Sequence, residues 1–141
     1  MPKLYFLDTG LLCYLLELRS DEQLPTHFAY GQIFESFIIS EIIKGYYNRG
    51  LQPPLYYFRD SNGKEIDLLI EEQGRLTTLE IKSSRTIHSR MFKSLQSFRK
   101  LAGEKVAHHF LIAGVSANES WKEAQVMSWK NVHELFSLHG M

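Results

Sequence analysis

The sequence predicts an α/β sandwich around a mixed central sheet flanked by helices. Three observations point there: apolar residues at helical spacing from Tyr30 to about Tyr47, three strand-like runs in quick succession between Leu55 and Lys82, and a strand–helix–strand passage beyond them. The core order is helix, three strands, helix, strand, and the passage from Lys82 to Lys105 favours a right-handed crossover onto the same sheet. With 141 residues, 44% hydrophobic and 23% charged, the chain has the length and apolar content for one domain over residues 1–141.

Lys3 to Leu7 is apolar and aromatic, which suits a strand or extended segment, and Asp8 or Thr9 can cap a helix over Leu11 to Leu18. Cys13 lies in that apolar run, where a small core residue is expected; a lone cysteine makes no internal disulfide, which fits a reduced, cytoplasmic setting. The longest apolar run at the N-terminus is too short to span a bilayer, so a soluble protein without membrane association is expected.

In the long helix, Ile33, Phe34, Phe37, Ile38, Ile42 and Ile43 form the apolar stripe, and Gly45, Asn48, Gly50, Pro53 and Pro54 end it. Leu55–Arg59, Glu65–Glu71 and Arg75–Lys82 then read as an antiparallel meander. Its turns are at Asn62-Gly63, a pair that readily takes positive φ, and at Gln73-Gly74. His88 to Ala102 is a helix stopped by Gly103, Lys105–Ala113 and Ala124–Trp129 are two more strands, and Asn131–Leu138 is a closing helix.

Two acids stand out against this apolar pattern. Alternation along Glu65 to Ile70 places Asp67 opposite Ile66, Leu68 and Ile70, while Glu80 and Lys82 share one face of their strand, opposite Leu79 and Ile81. The Gln73-Gly74 turn can bring Asp67 beside Glu80. Two carboxylates at a strand edge suit Mg²⁺, and Lys82 next to that ion could orient or deprotonate water or neutralise charge growing on a phosphate. Glu65 and Glu71 lie at strand ends and read as surface residues.

Net charge is zero, so any basic surface is local. Arg85, Arg90, Lys93, Arg99 and Lys100 form such a stretch, either a phosphate-contact surface for nucleic acid or the solvated face of an amphipathic helix. Tyr56, Tyr57 and Phe58 could stack bases but suit a strand core equally, and the adjacent His108 and His109 point opposite ways and read as structural. No phosphate-binding loop of the G-x-x-x-x-G-K-[ST] kind is present, so the chain does not bind ATP in that way.

These residues match known patterns. Asp67 followed by Glu80-x-Lys82 on neighbouring strands, after a helix bearing Glu35, resembles the PD-(D/E)XK nuclease superfamily. More narrowly, Lys3-Leu4-Tyr5-Phe6-Leu7-Asp8-Thr9-Gly10-Leu11, Gly31-x-x-Phe34-Glu35, Tyr57-x-Arg59, Glu65-Ile66-Asp67 and Glu80-Ile81-Lys82-Ser83-Ser84 resemble the domain of unknown function that ends many prokaryotic AAA-type ATPases. The resemblance covers nearly the whole chain. It implies a restriction-endonuclease-like sandwich, part of a longer ATPase or a stand-alone relative. It also implies a nuclease site with Asp67, Glu80 and Lys82 catalytic, Glu35, Asp67 and Glu80 holding Mg²⁺ or Mn²⁺, and Gln96 auxiliary. Ile66 stands where the superfamily carries proline. The expected partners are DNA and an AAA-type ATPase module, in the same or another chain, and a homo-oligomer is compatible. The rival expectations are a catalytically inactive module of the same fold that binds nucleic acid or a protein partner, and a purely structural dimerisation domain.

Overall fold

A computed structural model describes residues 3–138. Asp8 caps α1 (Thr9–Leu15) by accepting a hydrogen bond from the Leu11 backbone N–H at 2.9 Å. The helix starts and stops earlier than the sequence suggests. Glu17, at φ 58°, turns the chain back, and the Leu18 N–H donates to the Cys13 carbonyl. No residue of α1 is fully buried, so Cys13 is half-buried rather than a core residue. Residues 3–8, before α1, join no strand ladder; they are held by the side chains of Lys3 and Tyr5.

α2 (Tyr30–Tyr47) takes the predicted bounds and buries Ile33, Phe34, Ile38, Ile39, Ile42 and Tyr46. It precedes β1 (Leu55–Arg59), β2 (Glu65–Glu72) and β3 (Arg75–Lys82), which pair antiparallel as expected. Gln73 and Gly74, at φ 52° and 75°, make the two-residue turn. At the other hairpin the pair Asn62-Gly63 does not act together. Only Gly63 takes positive φ, and the Asp60 carboxylate closes the loop by accepting from the Asn62 and Lys64 N–H groups.

The expected helix over 88–102 is split. A 3₁₀ turn at Ser89–Phe92 drives Phe92 into the core, and α3 (Lys93–Ala102) follows, ending at Gly103 with φ 59°. β4 (Val106–Ala113) and β6 (Gln125–Ser128) run parallel to β3, and the two-residue β5 (Glu119–Ser120), which the sequence does not announce, pairs antiparallel to β6. The closing segment is a 3₁₀ turn at Trp129–Glu134 leading into α4 (Leu135–Leu138). The sheet order is β1-β2-β3-β4-β6-β5.

Each face of this mixed sheet has its own core. On one, α2 and the closing segment cover Leu68, Ile70, Leu79, Ile81, Phe110 and Ile112. On the other, Phe92, Leu95 and Phe98 cover Ile66, Leu69, Leu111, Ala113 and Val126. Among the described residues no helix is long and apolar enough to cross a membrane.

Candidate functional site

The site forms where β2 and β3 part company. Their pairing runs from Glu72↔Arg75 to Leu68↔Leu79 and stops there. On the other side of β2, the register with β1 shifts so that Asp67 and Leu68 together oppose Tyr57, a bulge. The bulge corrects the alternation expected from sequence: Ile66 lies in the α3-side core, whereas Leu68 and Ile70 lie in the α2-side core. Strict period two fails at the one residue that needs to be re-aimed. Asp67 turns its carboxylate along the sheet end, and its Oδ2 accepts the Ile81 backbone N–H at 2.8 Å.

On β3 alternation holds. Leu79 and Ile81 enter the α2-side core, and Glu80 and Lys82 share the opposite face. Lys82 Nζ lies 2.7 Å from Glu80 Oε1 and 3.7 Å from Asp67 Oδ2, so Asp67, Glu80 and Lys82 do come together. Gly114 holds the chain beyond Lys82 in place. Its N–H donates to the Ser84 carbonyl, and a Cβ there would sit 2.5 Å from the Ser83 carbonyl oxygen, so only glycine permits this approach.

Burial dominates the electrostatics. Asp67 is 7% exposed and Glu80 5%. Removal from water, then the neighbouring Asp67 charge, pushes the Glu80 carboxyl up to about 7, with Lys82 and nearby Ser94 partly opposing. Burial likewise raises Asp67 against the pull of Lys82 and the Ile81 N–H. Lys82 is also raised: burial works against its charge, but Asp67 and Glu80 outweigh it, so the amine stays protonated. Glu80 Oε2 is buried with no hydrogen-bond partner.

Glu35 on α2 acts on Asp67 and Lys82 through its charge, and its bonded partners are residues of the N-terminal segment. Its Oε1 accepts from Lys3 Nζ at 3.1 Å and from the Tyr5 hydroxyl at 2.8 Å, and Lys3 Nζ also bonds Glu65 and lies 3.9 Å from Asp67 Oδ1. Glu65 is therefore no plain surface residue; it belongs to the same charge cluster. The sequence reading missed Lys3, Tyr5, Glu65 and Ser94. For Lys3 and Tyr5 a signal existed, since residues two apart on an extended segment share a face. Among the described residues no group of three or more His, Cys, Asp or Glu side chains is arranged to hold a metal ion.

Two of the basic candidates, Arg99 and Lys100, border different hollows. Arg85, Arg90, Lys93, Arg99 and Lys100 are all exposed. Lys100 lines a cleft of about 410 Å³ between α3 and the β1–β2 hairpin, beside Lys64, Glu65, Ser94 and Ser97. Gln96 and Arg99 line a different hollow, with His109 and Lys122, to which Glu80 does not contribute. Tyr56 is exposed, whereas the half-buried Phe58 packs edge-on at 4.9 Å against Phe98 of the core.

The molecule is thus a mixed α/β domain that carries two buried acids and a half-buried lysine at one end of its sheet. The chain belongs to the family described as "Domain of unknown function (DUF4143)", matched over residues 30–132, from the start of α2 to just beyond β6. Two uncharacterized proteins, of Mycobacterium bovis and Mycobacterium tuberculosis, are each 36% identical to it over 86 residues, or 60% of this chain. The match covers 18% of each relative, so the chain spans under a fifth of their length.

Proposed function

We propose that this chain is a restriction-endonuclease-like domain of the PD-(D/E)XK type that hydrolyses DNA phosphodiester bonds with Mg²⁺ or Mn²⁺. The observation that carries this reading is the orphaned, buried Glu80 Oε2 beside Asp67, with Lys82 facing both. When all four are ionised, Glu35, Glu65, Asp67 and Glu80 set four carboxylates against the ammonium groups of Lys3 and Lys82, which leaves two negative charges for one divalent cation. A hard ion with oxygen ligands fits that deficit, and Mg²⁺ is commonly held by one or two carboxylates plus substrate phosphate.

Asp67 and Glu80 would hold the ion, which when bound would polarise a phosphate oxygen and lower the pKa of water. Lys82, kept protonated by the two acids, is better suited to neutralise charge growing on the phosphate than to accept a proton. The Ile81 N–H fixes the Asp67 carboxylate, so this ligand needs no reorientation. Lys64 and Lys100, in the cleft that reaches Glu65 and Ser94, would meet backbone phosphates. An AAA-type ATPase module, in this or a partner chain, is the partner that the family resemblance suggests; the relatives' greater length leaves room for one.

The test is Mg²⁺- or Mn²⁺-dependent cleavage of single- and double-stranded DNA by wild type, Asp67→Asn and Lys82→Ala. Each variant should lose about 10²-fold or more, as when one transition-state charge contact is removed. Equal cleavage by wild type and Asp67→Asn would remove the assigned centre. A second reading, a non-catalytic nucleic-acid or protein-binding module, draws on the neutral net charge and on the absence of a three-acid metal group among the described residues. Binding without turnover by wild type would favour it.

A further inference from the structure

The N-terminal segment contributes the least expected members of the cluster. Lys3 lies outside the family match, yet its ammonium contacts Glu35 on α2 and Glu65 and Asp67 on β2. The Tyr5 hydroxyl shares Glu35 Oε1 with it, and Lys3 Nζ lies 5.9 Å from the ring centres of both Tyr5 and Tyr57. An ammonium among three carboxylates and two ring faces is where a positive charge is best accommodated.

From this geometry we infer that Lys3 is a resident cation that fills the Glu35–Glu65–Asp67 position, so that the centre takes a single divalent ion, on the Asp67 and Glu80 side. This rests on the metal-dependent reading above and makes Glu35 a positioning residue for Lys3 rather than a metal ligand. Charge supports it. With Lys3 and Lys82 in place, one divalent ion brings the four carboxylates to neutrality; a second would leave two excess positive charges and would have to displace an ammonium already bonded to the same oxygens. A methionine at position 3 keeps much of the side-chain volume and gives up the charge.

Mn²⁺ binding to the full chain, counted at pH 8 by calorimetry and by the electron-spin signal of free Mn²⁺, tests this. Wild type should take one Mn²⁺ per chain, Lys3→Met two, and Lys3→Arg, which keeps a cation, one. If Lys3→Met does not fold, Lys3→Gln, which also removes the charge, is counted in its place. The quantity that decides is the difference between the charge-removing variant and wild type. A gain of one supports the inference; the same count in both overturns it. Wild type binding no Mn²⁺ would instead strike the metal-dependent function, while the difference would still report on Lys3.

Discussion

The two faces of the sheet use the same strands for different ends. On the α2 side, β2, β3 and β4 present Leu68, Ile70, Leu79, Ile81, Phe110 and Ile112, all buried among aliphatic and aromatic neighbours. On the α3 side the same β3 and β4 interleave Thr78, Glu80 and His109 with Leu111 and Ala113. Buried polar groups cost free energy unless satisfied, so a face that carries them gives up stability that its opposite face supplies. The division follows from period two: consecutive residues of one strand serve stability and chemistry in turn.

The greatest loss of stability is expected on the α2 face. Leu79 is 0% exposed, and Leu79→Ala should cost about 2–5 kcal/mol in urea unfolding, independent of pH, because it leaves a cavity in a packed layer. A loss below about 1 kcal/mol would mean that the α2 face is not the stabilising one.

Much of that face is legible in the sequence, and the reason is physical. The stripe along Tyr30–Tyr47 and the alternation of Leu79 and Ile81 against Glu80 and Lys82 are local periodicities, and the structure keeps them. Asp67 is harder, because the bulge opposite Tyr57 breaks period two and is written in the pairing of two strands rather than in either alone. Glu65 reads as a surface residue since strand ends usually are exposed; only a lysine 62 positions earlier makes it part of a buried cluster. Gln96 and Arg99 share α3 with Ser94, yet the helix turns them toward His109 while Ser94 meets Glu80.

The next effect has the opposite sign and lies on the α3 face. Glu80 has a folded-state pKa of about 7 against an ordinary 4.5, so its contribution to stability is full below pH 4.5 and is lost as pH rises through 7. Metal-free wild type should therefore weaken across that window by up to about 3 kcal/mol from this carboxyl, and Asp67, raised in the same direction, adds to the trend. Glu80→Gln keeps the neutral shape and should flatten the profile, making the variant more stable than wild type at pH 8 without metal. Urea midpoints at pH 5 and pH 8 decide it. Mn²⁺, which requires the ionised acids, should raise the wild-type midpoint more at pH 8 than at pH 5.

The smallest effect concerns the other polar pair on that face. The Thr78 hydroxyl lies 2.6 Å from His109 Nδ1, while His109 Nε2 is buried without a partner, so the imidazole keeps one satisfied nitrogen. Thr78→Val preserves volume but orphans Nδ1, at a cost of about 1 kcal/mol at pH 8. The pH trend runs against that of Glu80. Burial first, then the nearby Arg99 and His108 charges, hold His109 below its ordinary 6.5, so its contribution is present above 6.5 and is lost as pH falls through the lower folded value. In wild type the carboxyl trend masks this, because Glu80 gains on acidification what His109 loses. In Glu80→Gln only the Asp67 part of that mask remains, and adding His109→Phe should shift the slope between pH 6.5 and pH 5 toward greater stability at the acid end. An unchanged slope in the double variant would place the titration elsewhere on the α3 face and leave the hydroxyl–imidazole pair a purely packing contact.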